Sequence, residues 1–157
     1  MLIVTLIQKI AIKLLAGQFQ LATAESCTGG LLAKVLTDQA GSSRWFERGF
    51  VTYSNASKHE LLGVKISTLE QHGAISAAVA CEMAAGVLSN SQAQFSIAIT
   101  GIAGPGKTEK PVGTIWFAWA GEKFPTYAKM QQFSGDRALI RSQAVQFALQ
   151  ELNKLID

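Results

Sequence analysis

The chain is poor in the residues that hold metals. Two cysteines, Cys27 and Cys81, and two histidines, His59 and His72, are spread over 157 residues. None falls in CxxC or HxxxH spacing, so no zinc-site signature is present, and a disulfide framework is equally out of place. Catalysis, if there is any, must lean on hydroxyls, amines, carboxylates or backbone dipoles. Charge is also scarce. Only 16% of residues are charged, and 14 basic against 11 acidic groups leave a net +3. The basic residues are scattered and form no stripe, which argues against a nucleic-acid binder and suits a small phosphorylated ligand better. No apolar run reaches the ~18–20 residues of a membrane span. The apolar start, Met1 to Leu15, has no early positive region, is interrupted by Lys9 and Lys13, and leads to no small-residue cleavage site. A soluble, cytoplasmic protein without a membrane partner is expected.

What is present is apolar and patterned. Hydrophobic residues make up 48% of the chain, enough for one domain over residues 1–157 and too many for disorder. Ile3, Ile7, Ile10 and Leu14 mark an amphipathic helix over Leu2–Leu15, stopped at Gly17. Strands are expected at Phe19–Ala24, Phe46–Tyr53 and Phe95–Thr100, and then at Thr114–Ala120 and Thr126–Phe133 with Gly121 in the turn region. Helices are expected at Thr28–Leu36, Ser57–Leu62, Ala77–Leu88 behind a Ser76 cap, and from about Asp136 to the end. Ser67 and Glu70 fit a capping box that starts another helical turn. Helices alternate with strands early and two strands run together late. This predicts an α/β fold with a mixed, mostly parallel sheet covered by helices on both faces, and one antiparallel pair near the end.

One motif is tempting. Gly101-Ile-Ala-Gly-Pro-Gly106-Lys107-Thr108 matches the G-x-x-x-x-G-K-[ST] phosphate loop and follows an apolar strand. A true phosphate loop runs straight into a helix, whose amides complete the cradle. Here Pro111 and Gly113 follow, and no apolar strand ends in an aspartate for magnesium. The glycine-rich amides can still hold an anion, or the loop is only a tight connection.

Three clusters carry candidate chemistry. Glu25-Ser26-Cys27-Thr28-Gly29-Gly30 lies between a strand and a helix, where ligands bind in open α/β sheets. Ser26 there is either a nucleophile served by helix-end amides or, with Thr28, an ordinary N-cap. Cys27 is either a rival nucleophile or a small buried hydrophobe. Tyr53-Ser54-Asn55-Ala56-Ser57-Lys58 ends a strand and opens a helix, with Asn55 placed to cap it. Lys58 could serve Ser26 as base if burial lowers its pKa, with Tyr53 to orient it; otherwise it is a solvated helix lysine and Tyr53 a half-buried strand residue. His59 and His72 read as surface or helix-end residues. Gly135-Asp136-Arg137 with Arg141 sets two guanidiniums one turn apart, suited to a phosphate or carboxylate, or to ordinary surface salt bridges.

Together these segments resemble one family. Glu25-Ser26-Cys27-Thr28-Gly29-Gly30, Tyr53-Ser54-Asn55-x-x-Lys58, Leu62-Gly63-Val64, Thr100-Gly101-Ile102-Ala103-Gly104-Pro105, Lys110-Pro111-Val112-Gly113 and Gly135-Asp136-Arg137 occur in the order seen in the CinA C-terminal domain family. Stand-alone members are nicotinamide-nucleotide amidohydrolases; the family's other common form carries a large extra N-terminal domain, for which this chain has no room. The resemblance implies a three-layer α/β/α sandwich and deamidation of nicotinamide mononucleotide to nicotinic acid mononucleotide and ammonia, with neither metal nor cofactor. It implies Ser26 as nucleophile and Lys58 as base, with Tyr53 and Thr100 in the same polar site. Thr28, Gly29, Gly30, Gly101 and Gly104 would frame the substrate, and Arg137, in preference to Arg141, would contact it. A homodimer is implied on the same ground alone. Two departures stand out: a short loop after Gly104-Pro105 carrying Lys107, and Arg48 before Gly49, where a small residue is expected.

Overall fold

Strands β1 (Leu21–Glu25), β2 (Phe46–Val51), β3 (Phe95–Gly101), β4 (Thr114–Gly121) and β5 (Phe124–Gln132) form one sheet in the computed structural model, which describes all 157 residues. The order across the sheet is β2-β1-β3-β4-β5. β1 pairs in parallel with both β2 and β3, while β4 runs antiparallel to β3 and to β5. Four strands therefore point one way and β4 alone is reversed. Because β4 lies inside the sheet, it makes two antiparallel ladders rather than the single pair expected. A two-residue turn, Glu122–Lys123, joins β4 to β5.

Strand side chains alternate between the faces, and here the alternation sorts them by size. One face presents Leu21, Phe95, Ile97, Ile99, Phe117 and Trp119, which pack with helices α1 (Ile3–Gly17), α2 (Leu31–Thr37) and α6 (Arg137–Leu155). The Trp119 indole N–H donates to the Ala148 carbonyl of α6 at 3.0 Å, so its one polar atom is satisfied within the core. The other face presents Ala22, Ala24, Ala98, Ala118 and Ala120. Helix α5 (Ala77–Ser89) lies on it, with α3 (Asn55–Leu62) and α4 (Ile66–His72) packed against α5. The approach is close enough for the Ser96 hydroxyl on β3 to donate to the Ala84 carbonyl of α5 at 2.8 Å. Helices thus cover both faces, giving the three layers.

Helix boundaries differ from the sequence reading where tertiary partners intervene. Gly29 and Gly30 adopt left-handed φ of 57° and 103°, so α2 starts at Leu31 rather than Thr28. Ser54, not Asn55, caps α3, accepting the Ser57 amide at 3.0 Å. The Ser67–Glu70 capping box does not form, because α4 already begins at Ile66. Instead Glu82 reaches across from α5 to accept the Lys65 amide and the Thr68 hydroxyl. Ser76 and Asp136 do cap α5 and α6.

Glycine matters most at Gly86 on α5, where an added Cβ would sit 2.0 Å from the Leu62 carbonyl oxygen at the end of α3. That contact fixes how closely α3 lies on α5. Gly86→Ala is expected to cost about 1–3 kcal/mol through overpacking, read as a lower urea midpoint at an unchanged m-value.

Candidate active site

The carboxyl ends of the three parallel strands converge. Ser26 follows β1, Thr52 and Tyr53 follow β2, and Thr100 lies near the end of β3. The ladder continues past the strands: the Ser26 amide donates to Ile99 at 2.9 Å and the Thr52 amide to Glu25 at 2.8 Å. These bonds hold the three strand ends in register around a cavity of about 270 Å³. Ser26, Lys58, Tyr53, Thr100 and Gly101 line it, with Cys27, Ala74 and Ile75.

Lys58 reaches this cavity from α3. It shares the inward face of that helix with Leu62, one turn on. Left-handed Gly63 ends the helix and lets the Val64 amide return to the Lys58 carbonyl at 3.2 Å. Lys58 is 1% exposed, so the solvated-lysine reading fails. Its Nζ lies 3.0 Å from Ser26 Oγ, 3.0 Å from the Thr52 carbonyl and 3.2 Å from the Tyr53 carbonyl. Burial pushes its pKa below the ordinary lysine value of 10.5 by penalising the ammonium, and the Cys27 thiol nearby opposes the shift in part. A neutral amine has two N–H donors and one lone pair. Two carbonyls and one hydroxyl are the complement of that set, with the lone pair left for the Ser26 proton. In the protonated form all three contacts become N–H donations, and Ser26 Oγ turns its proton to the Tyr53 carbonyl at 3.3 Å.

Cys27 is a poor rival nucleophile. It is buried, and desolvation pushes its thiol up to about 11 in spite of support from its own backbone amide and Arg141. Since the thiolate is the reactive form, the side chain behaves as a small hydrophobe. Nor is Ser26 or Thr28 an N-cap: Gly30 occupies that position without a side-chain bond. The amides of the first turn of α2 are satisfied by Glu25, whose carboxylate accepts Leu32 at 2.8 Å and Ala33 at 3.1 Å. This role of Glu25 was missed in the sequence. A carboxylate just ahead of a glycine pair and a helix is the only trace of it there.

The remaining candidates divide between cavity, rim and support. Thr100 is buried, lines the cavity and donates to the Ala74 carbonyl at 3.0 Å. Tyr53 lends its carbonyl to Lys58, while its ring, 60% exposed, stands at the rim. There Arg137 donates to the Tyr53 hydroxyl at 3.2 Å and to the Gly104 carbonyl at 2.8 Å, tying the β3–β4 loop to the entrance. Gly104 and Arg137 thus flank the opening. Thr28 is fully buried with an unpartnered hydroxyl and, like Gly29 and Gly30, does not line the cavity. Arg141 points to the turn itself, donating to the carbonyls of Cys27 and Thr28. Neither arginine is in a salt bridge.

The phosphate-loop match fails structurally. After Gly101 the chain runs as an irregular loop to Thr114 with no helix, and Lys107 stands exposed on it. Arg48 before Gly49 lies at the surface, bound to Glu47 and the Asn90 carbonyl, clear of the site. A larger cavity of about 440 Å³ lies between α3 and α4, lined by His59, Glu60 and Glu70 among others, but it holds no nucleophile–base pair. His59 uses its Nδ1 on the Val64 carbonyl, and His72 ends α4 at the surface. No three His, Cys, Asp or Glu side chains converge, and no helix is long and apolar enough to cross a membrane.

The Lys58 environment predicts a pH signature. With its folded pKa below 10.5, the unfolded chain binds more protons between the two values, so stability rises with pH across that window. Compared with Lys58→Met, which cannot titrate, the native protein should gain stability as pH climbs from the lowered value to 10.5. Urea midpoints of both proteins measured in parallel check this; a pH-independent difference would contradict a desolvated amine.

Comparison with known proteins agrees with this architecture. The Enterobacter agglomerans protein named nicotinamide-nucleotide amidohydrolase PncC is 61% identical over 129 residues, 81% of this chain and 79% of that one. The protein of the same name from Escherichia coli K12 is 56% identical over 132 residues, 83% of this chain and 80% of that one. A crystal structure of a CinA superfamily protein from Klebsiella pneumoniae 700603 superposes with a TM-score of 0.95 at 38% identity, covering 99% of this chain and 98% of that one. The sequence profile described as CinA C-terminal domain matches residues 4–156. With the match running through every element of the sheet and both helical layers, the chain belongs to the CinA C-terminal domain family.

Proposed function

We propose that this chain hydrolyses the carboxamide of nicotinamide mononucleotide, releasing nicotinic acid mononucleotide and ammonia. The observation that carries this reading is the buried Lys58 amine 3.0 Å from the Ser26 hydroxyl at the ends of the parallel strands. The names of the Enterobacter and Escherichia relatives support the substrate class.

In this mechanism neutral Lys58 takes the Ser26 proton as Oγ attacks the carboxamide carbon. The tetrahedral intermediate collapses when protonated Lys58 gives that proton to the departing nitrogen, which leaves as ammonia. An ester on Ser26 remains. Water then attacks the ester carbon, with Lys58 again accepting the proton and returning it to Ser26 Oγ as the carboxylic acid forms. The Thr52 and Tyr53 carbonyls orient the amine throughout. At the rim, Arg137 keeps N–H donors beyond its two bonds to protein, enough for one phosphate. The setting we infer is pyridine-nucleotide salvage in the cytoplasm by a homodimer, without metal or cofactor.

Ammonia release from nicotinamide mononucleotide, measured with and without EDTA, tests the reading directly. Ser26→Ala is expected to lower kcat by on the order of 10³-fold or more, and a near-native rate would remove Ser26 as nucleophile. Lys58→Met should cost about 10²–10⁴-fold. The native kcat/KM should rise with pH on a limb centred below the ordinary lysine value of 10.5. A limb at or above that value would remove Lys58 as base.

A further inference from the structure

The three carbonyls from Ser26 to Thr28 are all engaged. Ser26 O accepts the Gly29 amide at 3.0 Å. Cys27 O accepts Nε of Arg141 at 3.1 Å. Thr28 O accepts Nη2 of Arg141 at 2.9 Å and the Leu31 amide at 3.0 Å. One guanidinium, brought in from α6, therefore bridges two successive peptide groups.

A planar trans peptide points its N–H opposite to its C=O. Fixing the Ser26 and Cys27 carbonyls thus also aims the amides of Cys27 and Thr28, the other halves of those peptide groups. Apart from the contact of the Cys27 amide with its own thiol, the amides of Cys27, Thr28 and Gly30 donate to no other residue, although those of Ser26, Gly29, Leu31, Leu32 and Ala33 all do, and of the three only that of Cys27 belongs to a residue lining the cavity. Cys27 is 6% exposed and Thr28 is fully buried. Buried amides without a partner are rare and costly, and the Cys27 amide, with only its own thiol beside it, follows the serine directly. The first-turn amides of α2 and that of Gly29 are occupied, by the Glu25 carboxylate and by Ser26 O.

We propose that Arg141 is a positioning residue that builds the oxyanion hole without touching substrate. Its guanidinium holds the Cys27 and Thr28 carbonyls back; the Thr28 carbonyl shares its peptide with the Gly29 N–H that fixes the Ser26 carbonyl, so the Cys27 amide, on the Ser26 peptide, is aimed to receive the carboxamide oxygen as it gains negative charge. The proposal rests on Ser26 as nucleophile. It requires Arg141 specifically, since a lysine ammonium lacks the rigid fork that spans two carbonyls.

The test is steady-state kinetics on nicotinamide mononucleotide for Arg141→Ala, Arg141→Lys and Ser26→Ala, with thermal melts of each. Both Arg141 variants should lose about 10- to 100-fold in kcat while KM stays within about threefold, and ethylguanidinium should restore part of the loss in Arg141→Ala. A rise in KM with kcat unchanged would make Arg141 a substrate contact and overturn the proposal. So would native values of both, or a kcat loss that ethylguanidinium leaves untouched in a protein that melts normally. If Arg141→Ala does not fold, Gly29→Ala carries the test. Its Cβ would lie 3.3 Å from Nη2 at a φ of +57°, displacing the guanidinium, and it should show the same loss in kcat at constant KM. Ser26→Ala separates the two readings. If it stays active, the nucleophile assignment fails and takes the proposal with it; if it is inactive while Arg141 variants change KM alone, only the proposal fails.

Discussion

The burial of one amine organises this site. An ammonium group taken out of water is expensive, and Lys58 is enclosed with only two carbonyls and a hydroxyl for company. The cost is borne by the fold around it: α3 capped by Ser54, closed at Gly63 and seated on α5 at Gly86. Loosening any of these admits water, restores the ammonium and removes the base. The parallel strands supply the other half. Because β1, β2 and β3 end together, the serine after β1 and the carbonyls after β2 meet the amine at one point.

The nucleophile turn shows a division of labour among charges that never face the substrate. Glu25 satisfies the helix amides behind the turn and Arg141 satisfies its carbonyls. Together with the turn's own backbone bonds they account for the carbonyls of Ser26–Thr28 and the first-turn amides of α2, which leaves the Cys27 amide beside the serine. Left-handed Gly29 and Gly30 make the tight path possible. Arg137, on the same helix as Arg141 and one turn earlier, works at the rim with Tyr53 and Gly104. One helix thereby reaches both the outside and the back of the site.

Much of the fold was legible because its signals are local. All five strands were marked, β1 and β3 by apolar runs, and Ser76 and Asp136 announced their helices as caps. Placing a serine turn after the first strand and a lysine on the helix after the second also followed from sequence order. What was illegible depended on partners far along the chain. Ser67–Glu70 has the letters of a capping box, but Glu82 from another helix satisfies the end of α4 instead. The reversal of β4 inside the sheet, rather than at its edge, reflects where β5 docks, which no periodicity encodes. Arg141 reads as a partner for anions until its spacing of more than a hundred residues from Cys27 is closed in space. The burial of Lys58 could be supposed but not read, since the first turn and a half of α3, Asn55 to Glu60, is almost wholly polar.

The unequal faces of the sheet give the molecule unequal freedom to change. Among Phe95, Phe117 and Trp119, volume lost by one side chain can be recovered by a neighbour. Beneath α5 nothing can be traded, because Ala22, Ala24, Ala98, Ala118 and Ala120 already carry the smallest side chains with a Cβ. Any enlargement there must lift a whole helix. The aromatic side can therefore absorb sequence drift, whereas the alanine side serves as a fixed datum from which the position of the buried lysine is measured.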